Sequence, residues 1–372
     1  GGSRSGLQAA GSACRMKSPL QPIASADRDR SRTQRPIVKP RNRMDRGVGG
    51  QAAPAALDDQ PPSLRALQDL TVGELASALR GPGLLLDVGA CCVRMRSDSP
   101  VLPRQLQAAY RHFPHATDGW ADLHVDLMRP AGLRRWWRPQ VQFRCDGSMP
   151  FEPFAADSPL PLAEWGVNWL IGQRLHDLLL LHAGALERDG RVLLLPAVPG
   201  SGKSSLTAAL SLRGWRLLSD EFGAFDPARG VFLSLLKPIA LKNQSIDVIR
   251  DFEPCVPMGP SFPGTRKGTV AHVAPDARAV AHRHQPARPG VVLLPQWRQG
   301  SPTQITMVPP DRLFSALAYN AFNYTTLGEV GFSAVVGLAR TCPGHALVYS
   351  DLADALAAID QLWSQHSDGA AP

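Results

Sequence analysis

One stretch, Leu193-Leu-Leu-Pro-Ala-Val-Pro-Gly200-Ser-Gly-Lys-Ser-Ser205, sets the architecture of this chain because it joins an apolar run to a glycine-rich turn. Good helix formers follow over Leu206–Leu212. Strand, glycine loop and helix in this order are typical of a phosphate-binding loop, in which backbone N–H groups and the helix N-terminus surround an oligophosphate. The hydroxyl of Ser204 is expected on Mg²⁺ and the amine of Lys203 on the β- and γ-phosphates. The predicted nucleotide-binding residues are Pro199, Gly200, Ser201, Gly202, Lys203, Ser204 and Ser205.

The next predicted strand begins at Trp215 and ends in two adjacent acids, Asp220 and Glu221. Only one helix and one strand separate Lys203 from Asp220, so the acids are predicted on the strand neighbouring the phosphate loop. A carboxylate there can hold Mg²⁺ or accept a proton from an attacking hydroxyl, and two acids can divide these roles. Acids that only cap a strand end in solvent are the alternative.

His182 lies on a predicted strand over Leu178–Glu187, directly before the strand that feeds the loop. Asp189-Gly190 between them is a strong hairpin signal, so the two strands should pair. A histidine on such a strand is either a core residue or a group that acts beside the phosphates, and the pattern leaves both open.

Composition indicates a globular protein with room for two domains, since 44% of the 372 residues are hydrophobic and 19% charged. No apolar run is long enough for a membrane span. The first 60 residues, with 11 Lys/Arg against 5 Asp, carry +6 of the net charge of +8, so a basic tail rather than a nucleic-acid-binding body is expected. Six scattered cysteines without a Cys-x-x-Cys pair favour reduced thiols and a cytoplasmic location.

Changes in composition along the chain predict four segments. They are a disordered basic tail over 1–62, an N-terminal α+β domain over 64–176, a kinase domain over 177–364 and a disordered tail over 365–372. Helices are predicted over Ser63–Leu79, Gln105–Phe113 and Pro159–Leu175 in the N-terminal domain, and a Pro/Gly-rich loop over Pro254–Gly268 in the other.

Three segments together resemble the core of HPr kinase/phosphorylase: His182-Ala-Gly-Ala-Leu-Glu187, the Gly-Ser-Gly-Lys-Ser loop, and Arg213-Gly-Trp-Arg-Leu-Leu-Ser-Asp220-Glu221. Further segments are similar to the HPr kinase-related kinase A family of exosortase and polysaccharide-export gene neighbourhoods. These are Leu241-Lys-Asn-Gln-Ser-Ile246, Phe262-Pro-Gly-Thr-Arg-Lys-Gly-Thr-Val-Ala-His272, Asn320-Ala-Phe-Asn-Tyr324 and Arg134-Arg-Trp-Trp-Arg-Pro-Gln140. The likeness runs from about residue 85 to about residue 362.

The resemblance implies an α/β fold with a P-loop kinase core of the HPr kinase and PEP carboxykinase type, beside a smaller N-terminal α+β domain. It implies that Asp220 is the base for an acceptor serine, that Glu221 stands for a second Asp which helps to hold Mg²⁺, and that His182 lies near the reacting phosphates. Ala183 stands where the parent family has Gly. The parent family's C-terminal signature and oligomer-forming helix are not recognisable, so phosphorylase activity and HPr as substrate are not implied.

The function predicted from these observations is an ATP- and Mg²⁺-dependent kinase that transfers the γ-phosphoryl group to a hydroxyl, by resemblance a serine, of a protein or small molecule. Arg266 and Lys267, between two glycines, are either a clamp on the transferring phosphoryl group or ordinary surface charge. An ATP-binding or ATP-hydrolysing switch without a phosphoacceptor is the alternative, and nucleic-acid binding through the basic tail ranks third. Family context suggests a small protein acceptor or a PqqD-like companion, and a homo-oligomer is compatible with the sequence.

Overall fold

The computed structural model describes residues 65–131 and 137–367, which belong to one unit by their contacts. Helices and strands are mixed throughout, as the prediction of an α/β protein requires. The predicted tail over 1–62, the end of the predicted tail at 368–372 and the Arg134-Arg-Trp136 part of the basic motif lie outside the described residues.

The first part of the described chain forms a sheet with the order β1-β2-β3-β4-β5, in which β2 and β3 are parallel and the other neighbours antiparallel. Its elements are β1 (Leu84–Asp87), β2 (Cys92–Ser97), β3 (Leu123–Met128), β4 (Gln140–Arg144) and β5 (Phe154–Ala155), with α1 (Val72–Arg80), α2 (Leu102–Ala109) and α3 (Pro159–Arg174). A 3₁₀ turn over Leu67–Asp69 precedes them.

The first helix begins later than the sequence pattern predicts. A capping box fixes its start: Thr71 Oγ1 accepts a hydrogen bond from the Glu74 amide at 3.2 Å, and the Glu74 carboxylate accepts one from the Thr71 amide at 2.6 Å. The prediction of a helix from Ser63 is therefore wrong, because the apolar periodicity before Thr71 belongs to the 3₁₀ turn. The second helix likewise covers Leu102–Ala109 rather than Gln105–Phe113.

The second part of the chain is built on a larger sheet with the order β10-β9-β6-β7-β14-β16-β15, in which β8 also pairs with β6. Parallel pairing joins β7, β14 and β16. The strands are β6 (Leu179–Arg188), β7 (Arg191–Pro196), β8 (Arg216–Ser219), β9 (Phe222–Asp226), β10 (Val231–Leu233), β14 (Arg288–Trp297), β15 (Gln304–Val308) and β16 (Gly344–Tyr349). The helices of this part are α4 (Lys203–Leu212), α5 (Gln244–Phe252), α6 (Ala277–Ala281), α7 (Pro310–Asn320), α8 (Tyr324–Leu327), α9 (Glu329–Thr341) and α10 (Leu352–Ser367).

The predicted hairpin before the loop is present, because β6 and β7 pair antiparallel and both turn residues, Asp189 and Gly190, have positive φ. The strand order differs from the expectation in one respect. The strand that ends before Asp220, β8, pairs with β6 and not with the loop-feeding strand β7. Because β8 is the next strand along the chain after β7, the sequence predicted that the two would be neighbours in the sheet. Instead β6 and β14 occupy the two edges of β7, and β8 pairs with the far edge of β6.

A small third sheet has the order β11-β13-β12, with β11 at Ile239–Lys242, β12 at Phe262–Thr265 and β13 at Gly268–Val273. Thr265 pairs with Gly268, so Arg266 and Lys267 form a two-residue hairpin tip. The predicted loop over Pro254–Gly268 therefore contains a strand. The sequence did not predict it because prolines and glycines are unfavourable in strands.

The two parts of the described chain share one continuous apolar core, in which Tyr110, Trp215 and Tyr349 are among the largest buried side chains. A buried polar link crosses the same region: Glu164 on α3 accepts a hydrogen bond from Tyr110 Oη at 2.5 Å and lies 3.2 Å from Lys237 Nζ. The five cysteines in the described ranges are free thiols. Among residues 65–131 and 137–367, no helix combines the length and the apolar character that crossing a bilayer requires.

Candidate functional site

Residues 197–202, here called the glycine loop, connect β7 to α4. Two backbone contacts hold the loop from the side of β14 and β16. The Trp297 amide donates to the Ser201 carbonyl at 2.9 Å, and Tyr349 Oη donates to the Gly202 carbonyl at 3.1 Å. The N-terminus of a ten-residue helix thus follows a loop whose backbone is fixed from one side.

The two glycines of the loop, Gly200 and Gly202, share a backbone conformation but differ in the space available for a side chain. Both have φ of +88°, a conformation that side chains disfavour. A Cβ on Gly200 would meet no described atom within 4 Å. A Cβ on Gly202 would collide with Tyr349 Oη and lie 2.9 Å from Trp297 Cβ. Gly202 is therefore required by close packing as well as by backbone conformation.

Lys203 and Ser204, the first residues of α4, both contact Asp220 at the end of β8. Lys203 Nζ donates to the Asp220 backbone carbonyl and lies 3.4 Å from Oδ1, and Ser204 Oγ donates to Oδ2 at 3.0 Å. The Lys203 and Asp220 side chains are more than nine-tenths buried. Three residues singled out from the sequence are thus brought together, even though β8 does not neighbour β7.

Glu221 points to a different partner. Its Oε1 lies 3.9 Å from Nε2 of His182 on β6, and both side chains remain about one-third exposed. Burial lowers the pKa of His182 below its usual range, and the nearby charge of Lys203 lowers it further, so the imidazole is neutral at pH 7. Burial opposes ionisation of Glu221, yet surrounding positive groups, Lys203 foremost, bring its pKa down to about 2.

Two further lysines contribute to this positive field. Lys242, the last residue of β11, and Lys267, at the hairpin tip, both lie close enough to Glu221 to lower its pKa. Burial lowers the pKa of Lys267, and repulsion from Lys242 adds to the effect. No role for Lys242 was predicted from the sequence, although the residue stands in the segment Leu241-Lys-Asn-Gln-Ser-Ile246 that carries part of the resemblance. Its only signal was membership of that segment.

Arg266 and Lys267, which the sequence left open as either a clamp or ordinary surface charge, face different surroundings. The Arg266 guanidinium lies 5.4 Å from the centre of the Trp165 ring on α3, whereas Lys267 acts on Glu221. Trp165 in turn stacks on Phe151, with the ring centroids 5.0 Å apart. A two-residue turn projects its neighbouring side chains in different directions, which divides the pair.

The hairpin that carries Lys267 is held by Asn243. Its Oδ1 accepts from the Thr269 amide at 3.0 Å, and its own backbone has a positive φ of 51°. Gly268 has no room for a side chain because a Cβ there would collide with the Asn243 side chain. Asn243 therefore fixes the hairpin beside the end of β11, where Lys242 lies.

The segment Asn320-Ala-Phe-Asn-Tyr324 supports the strand that carries His182. Asn323 is buried, accepts a hydrogen bond from the Leu180 amide at 3.0 Å and donates one to the Leu178 carbonyl at 2.8 Å. The side chain thus satisfies backbone groups at the start of β6. This segment shapes the site through β6 rather than by contact with the glycine loop.

Magnesium would find a partial set of oxygen ligands here. Within the described ranges, no three His, Cys, Asp or Glu side chains come together in a way that could hold a metal ion. Mg²⁺ is usually bound by one or two protein oxygens together with phosphate oxygens and water, at about 2.0–2.1 Å, so neighbouring ligands lie about 2.9 Å apart. The 3.0 Å separation of Ser204 Oγ and Asp220 Oδ2 fits this requirement.

No protein-family model matches the chain, and no curated protein is similar enough to indicate one. The resemblance to the HPr kinase-related kinase A family therefore stays a hypothesis, and the functional interpretation depends on the geometry of the site.

Proposed function

We propose that this protein is an ATP- and Mg²⁺-dependent phosphotransferase with a P-loop kinase core, which transfers the γ-phosphoryl group to an acceptor hydroxyl. One observation carries the proposal: Lys203 and Ser204, at the end of a glycine loop and the start of a helix, both converge on Asp220. This set supplies the cation, the hydroxyl and the acid that phosphoryl-transfer sites use for phosphate and metal.

The charges around the loop suit a polyphosphate. Lys203, Lys242 and Lys267 are all close enough to Glu221 to lower its pKa, and they provide three ammonium groups against the two carboxylates of the acid pair. Phosphoryl transfer depends mainly on positioning and on neutralising charge that spreads over the phosphate oxygens. These three lysines lie on three separate elements, and together with the N-terminus of α4 they would neutralise part of the negative charge of a bound triphosphate.

The two acids are proposed to divide the work in the reverse of the order that the resemblance implies. Asp220 is buried and bonded to Ser204, so it belongs with the metal. Mg²⁺, when bound, would neutralise charge on the phosphates. Glu221 is one-third exposed and lies beside His182, so an acceptor can reach it.

Glu221 would therefore take the acceptor's proton as the acceptor oxygen forms its bond to the γ-phosphorus. The bond from that phosphorus to the β–γ bridging oxygen breaks in the same reaction, and ADP leaves with both electrons of the broken bond. Bound phosphates would offset part of the lysine field and raise the pKa of Glu221 from its low value toward a more basic one. Neutral His182 lies beside Glu221, although its Nε2 is 3.9 Å from the carboxylate and beyond direct hydrogen-bond distance.

The first experiment is transfer of label from γ-labelled ATP with Mg²⁺ to proteins of a lysate from the source cell. Wild type and Lys203→Ala are compared, because the substitution removes the cation for the β- and γ-phosphates. We expect a labelled band with wild type and its loss, by at least a hundredfold, in the variant. Release of labelled phosphate without a labelled protein would instead favour the ATP-driven switch.

A further inference from the structure

We propose that Trp297 is the platform on which the purine base of the nucleotide stacks. The inference rests on the proposed nucleotide-binding function and names the part of the site that would select for a purine. It adds an aromatic subsite to the phosphate-binding residues, in a part of the chain where no sequence motif indicated one.

The topology of the large sheet places Trp297 on the side of the glycine loop opposite the acids. Strand β7 has β6 as one neighbour and β14 as the other, and both acids follow β8, which lies beyond β6. Lys203 Nζ and Ser204 Oγ face that acidic side through Asp220. A nucleotide whose terminal phosphates lie there extends across the loop toward β14, where Trp297 is the last residue.

The tryptophan is fixed in place while part of its ring stays open to solvent. Its amide donates to the Ser201 carbonyl at 2.9 Å, and its indole Nε1 donates to the Ser350 carbonyl at 3.0 Å. The residue is nevertheless 43% exposed. Both N–H donors of the residue are thus satisfied within the protein, which leaves the face of the ring to contact a ligand. A ring that is already immobilised loses little further entropy when a base stacks on it.

The chemistry of this surface indicates what kind of ligand it takes. An aromatic face stacks on any base, with greater overlap for the larger purine ring, but offers no hydrogen bonds that tell one purine from another. We therefore expect ATP and GTP to bind similarly at this platform and both to bind more tightly than CTP.

The test measures dissociation constants by calorimetry for ATP, CTP and inorganic tripolyphosphate, each with Mg²⁺. The proteins are wild type, Trp297→Ala, Trp297→Phe and the control Trp120→Ala, which removes an 82%-exposed tryptophan from the loop between α2 and β3. We expect Trp297→Ala to weaken ATP about 5- to 150-fold, the range measured for loss of one base–aromatic stack. Tripolyphosphate should change less than about twofold, and Trp297→Phe should retain most of the ATP affinity.

The outcomes distinguish failure of the platform alone from failure of the proposed function. Unchanged ATP affinity in Trp297→Ala, or an equal loss for ATP, CTP and tripolyphosphate, overturns the platform, since an equal loss means that Trp297 only holds the loop. A wild-type protein that binds none of the three ligands overturns the proposed function together with the platform. A collapsed preference for ATP over CTP in Trp297→Ala supports the platform even if tripolyphosphate binds weakly.

Discussion

The two sides of the glycine loop differ in how the chain builds them. The acidic side takes Lys203, Ser204, Asp220 and Glu221 from a segment of fewer than twenty residues, so its contacts can be foreseen from spacing. The opposite side is aromatic and assembled from Trp297 and Tyr349, residues that reach the loop only because β14 and β16 are parallel to β7. Local sequence therefore encodes the chemistry of the loop, while sheet topology encodes the aromatic wall against which the loop is held.

The largest effect is expected from exchanging the acids one at a time. Glu221→Gln should lower phosphoryl transfer about 10²- to 10⁴-fold, the range for loss of a general base, while ATP with Mg²⁺ still binds. Asp220→Asn should instead raise the Mg²⁺ concentration needed for half-maximal activity, because it weakens the acid beside Ser204. Single-turnover transfer and Mg²⁺ titrations distinguish the two.

The neutral amides keep the size of each side chain, but Asp220→Asn also leaves the buried Lys203 without its counter-charge, so its free energy of unfolding should be measured alongside. The reverse pattern, with normal Mg²⁺ dependence and no transfer in Asp220→Asn, would restore the division of roles that the resemblance implies. It would also remove the significance of the contact between Glu221 and His182.

A smaller effect is expected where the aromatic wall touches the loop. Gly202→Ala should lower the free energy of unfolding by about 2–4 kcal/mol, from left-handed backbone strain and overlap with Tyr349 and Trp297. Gly200→Ala is the matched control, because it has the same φ of +88° but faces open space. It should cost only the strain, about 1–2 kcal/mol. Chemical denaturation of both variants provides the measurement.

Combining Gly202→Ala with Tyr349→Phe sharpens this test. Removing the Tyr349 hydroxyl costs its hydrogen bond to the Gly202 carbonyl, about 1 kcal/mol, but relieves the closest overlap. The double variant should therefore be less destabilised than the sum of the single changes. Equal costs for Gly200→Ala and Gly202→Ala would show that the aromatic side does not press on the loop.

Features that depend only on short stretches of chain could be predicted from the sequence. Strand, glycine loop and helix, the turn at Asp189-Gly190 and the contact of Lys203 with Asp220 all follow from local patterns. The partner of β8 does not, because which strand occupies the edge of β7 depends on pairing between distant segments. The start of the first helix was missed for a local reason, since apolar spacing before Thr71 suits a 3₁₀ turn as well as a helix.

The lysines and the tryptophan around the site could not be predicted from the sequence, for a different reason. A lysine or tryptophan on a strand end is ordinary surface until the fold brings it to a loop from another part of the chain. Lys242 and Trp297 are such residues, and each is placed by the end of a strand rather than by a motif of its own. The pair at 266 and 267 was singled out from the sequence as either a clamp or surface charge, and the hairpin tip sends its two side chains to different neighbours.

The smallest expected effect tests that division at the hairpin tip. Lys267→Ala should weaken ATP binding several-fold, since it removes one of three ammonium groups near Glu221, whereas Arg266→Ala, whose guanidinium lies over Trp165, should change it less than about twofold. Titration of the Glu221 carboxyl gives an independent check, because its pKa of about 2 should rise in Lys267→Ala and stay unchanged in Arg266→Ala.

The low pKa of Glu221 also makes the stability of the protein depend on pH. Because the pKa in the folded protein is below the usual 4.5, ionised Glu221 increases the free energy of unfolding above pH 4.5, and this contribution is lost as the pH falls toward 2. Removing Lys267 should therefore shrink that acid-labile contribution. Equal effects of the two substitutions on ATP affinity would mean that Arg266 and Lys267 act together as the clamp that the sequence suggested.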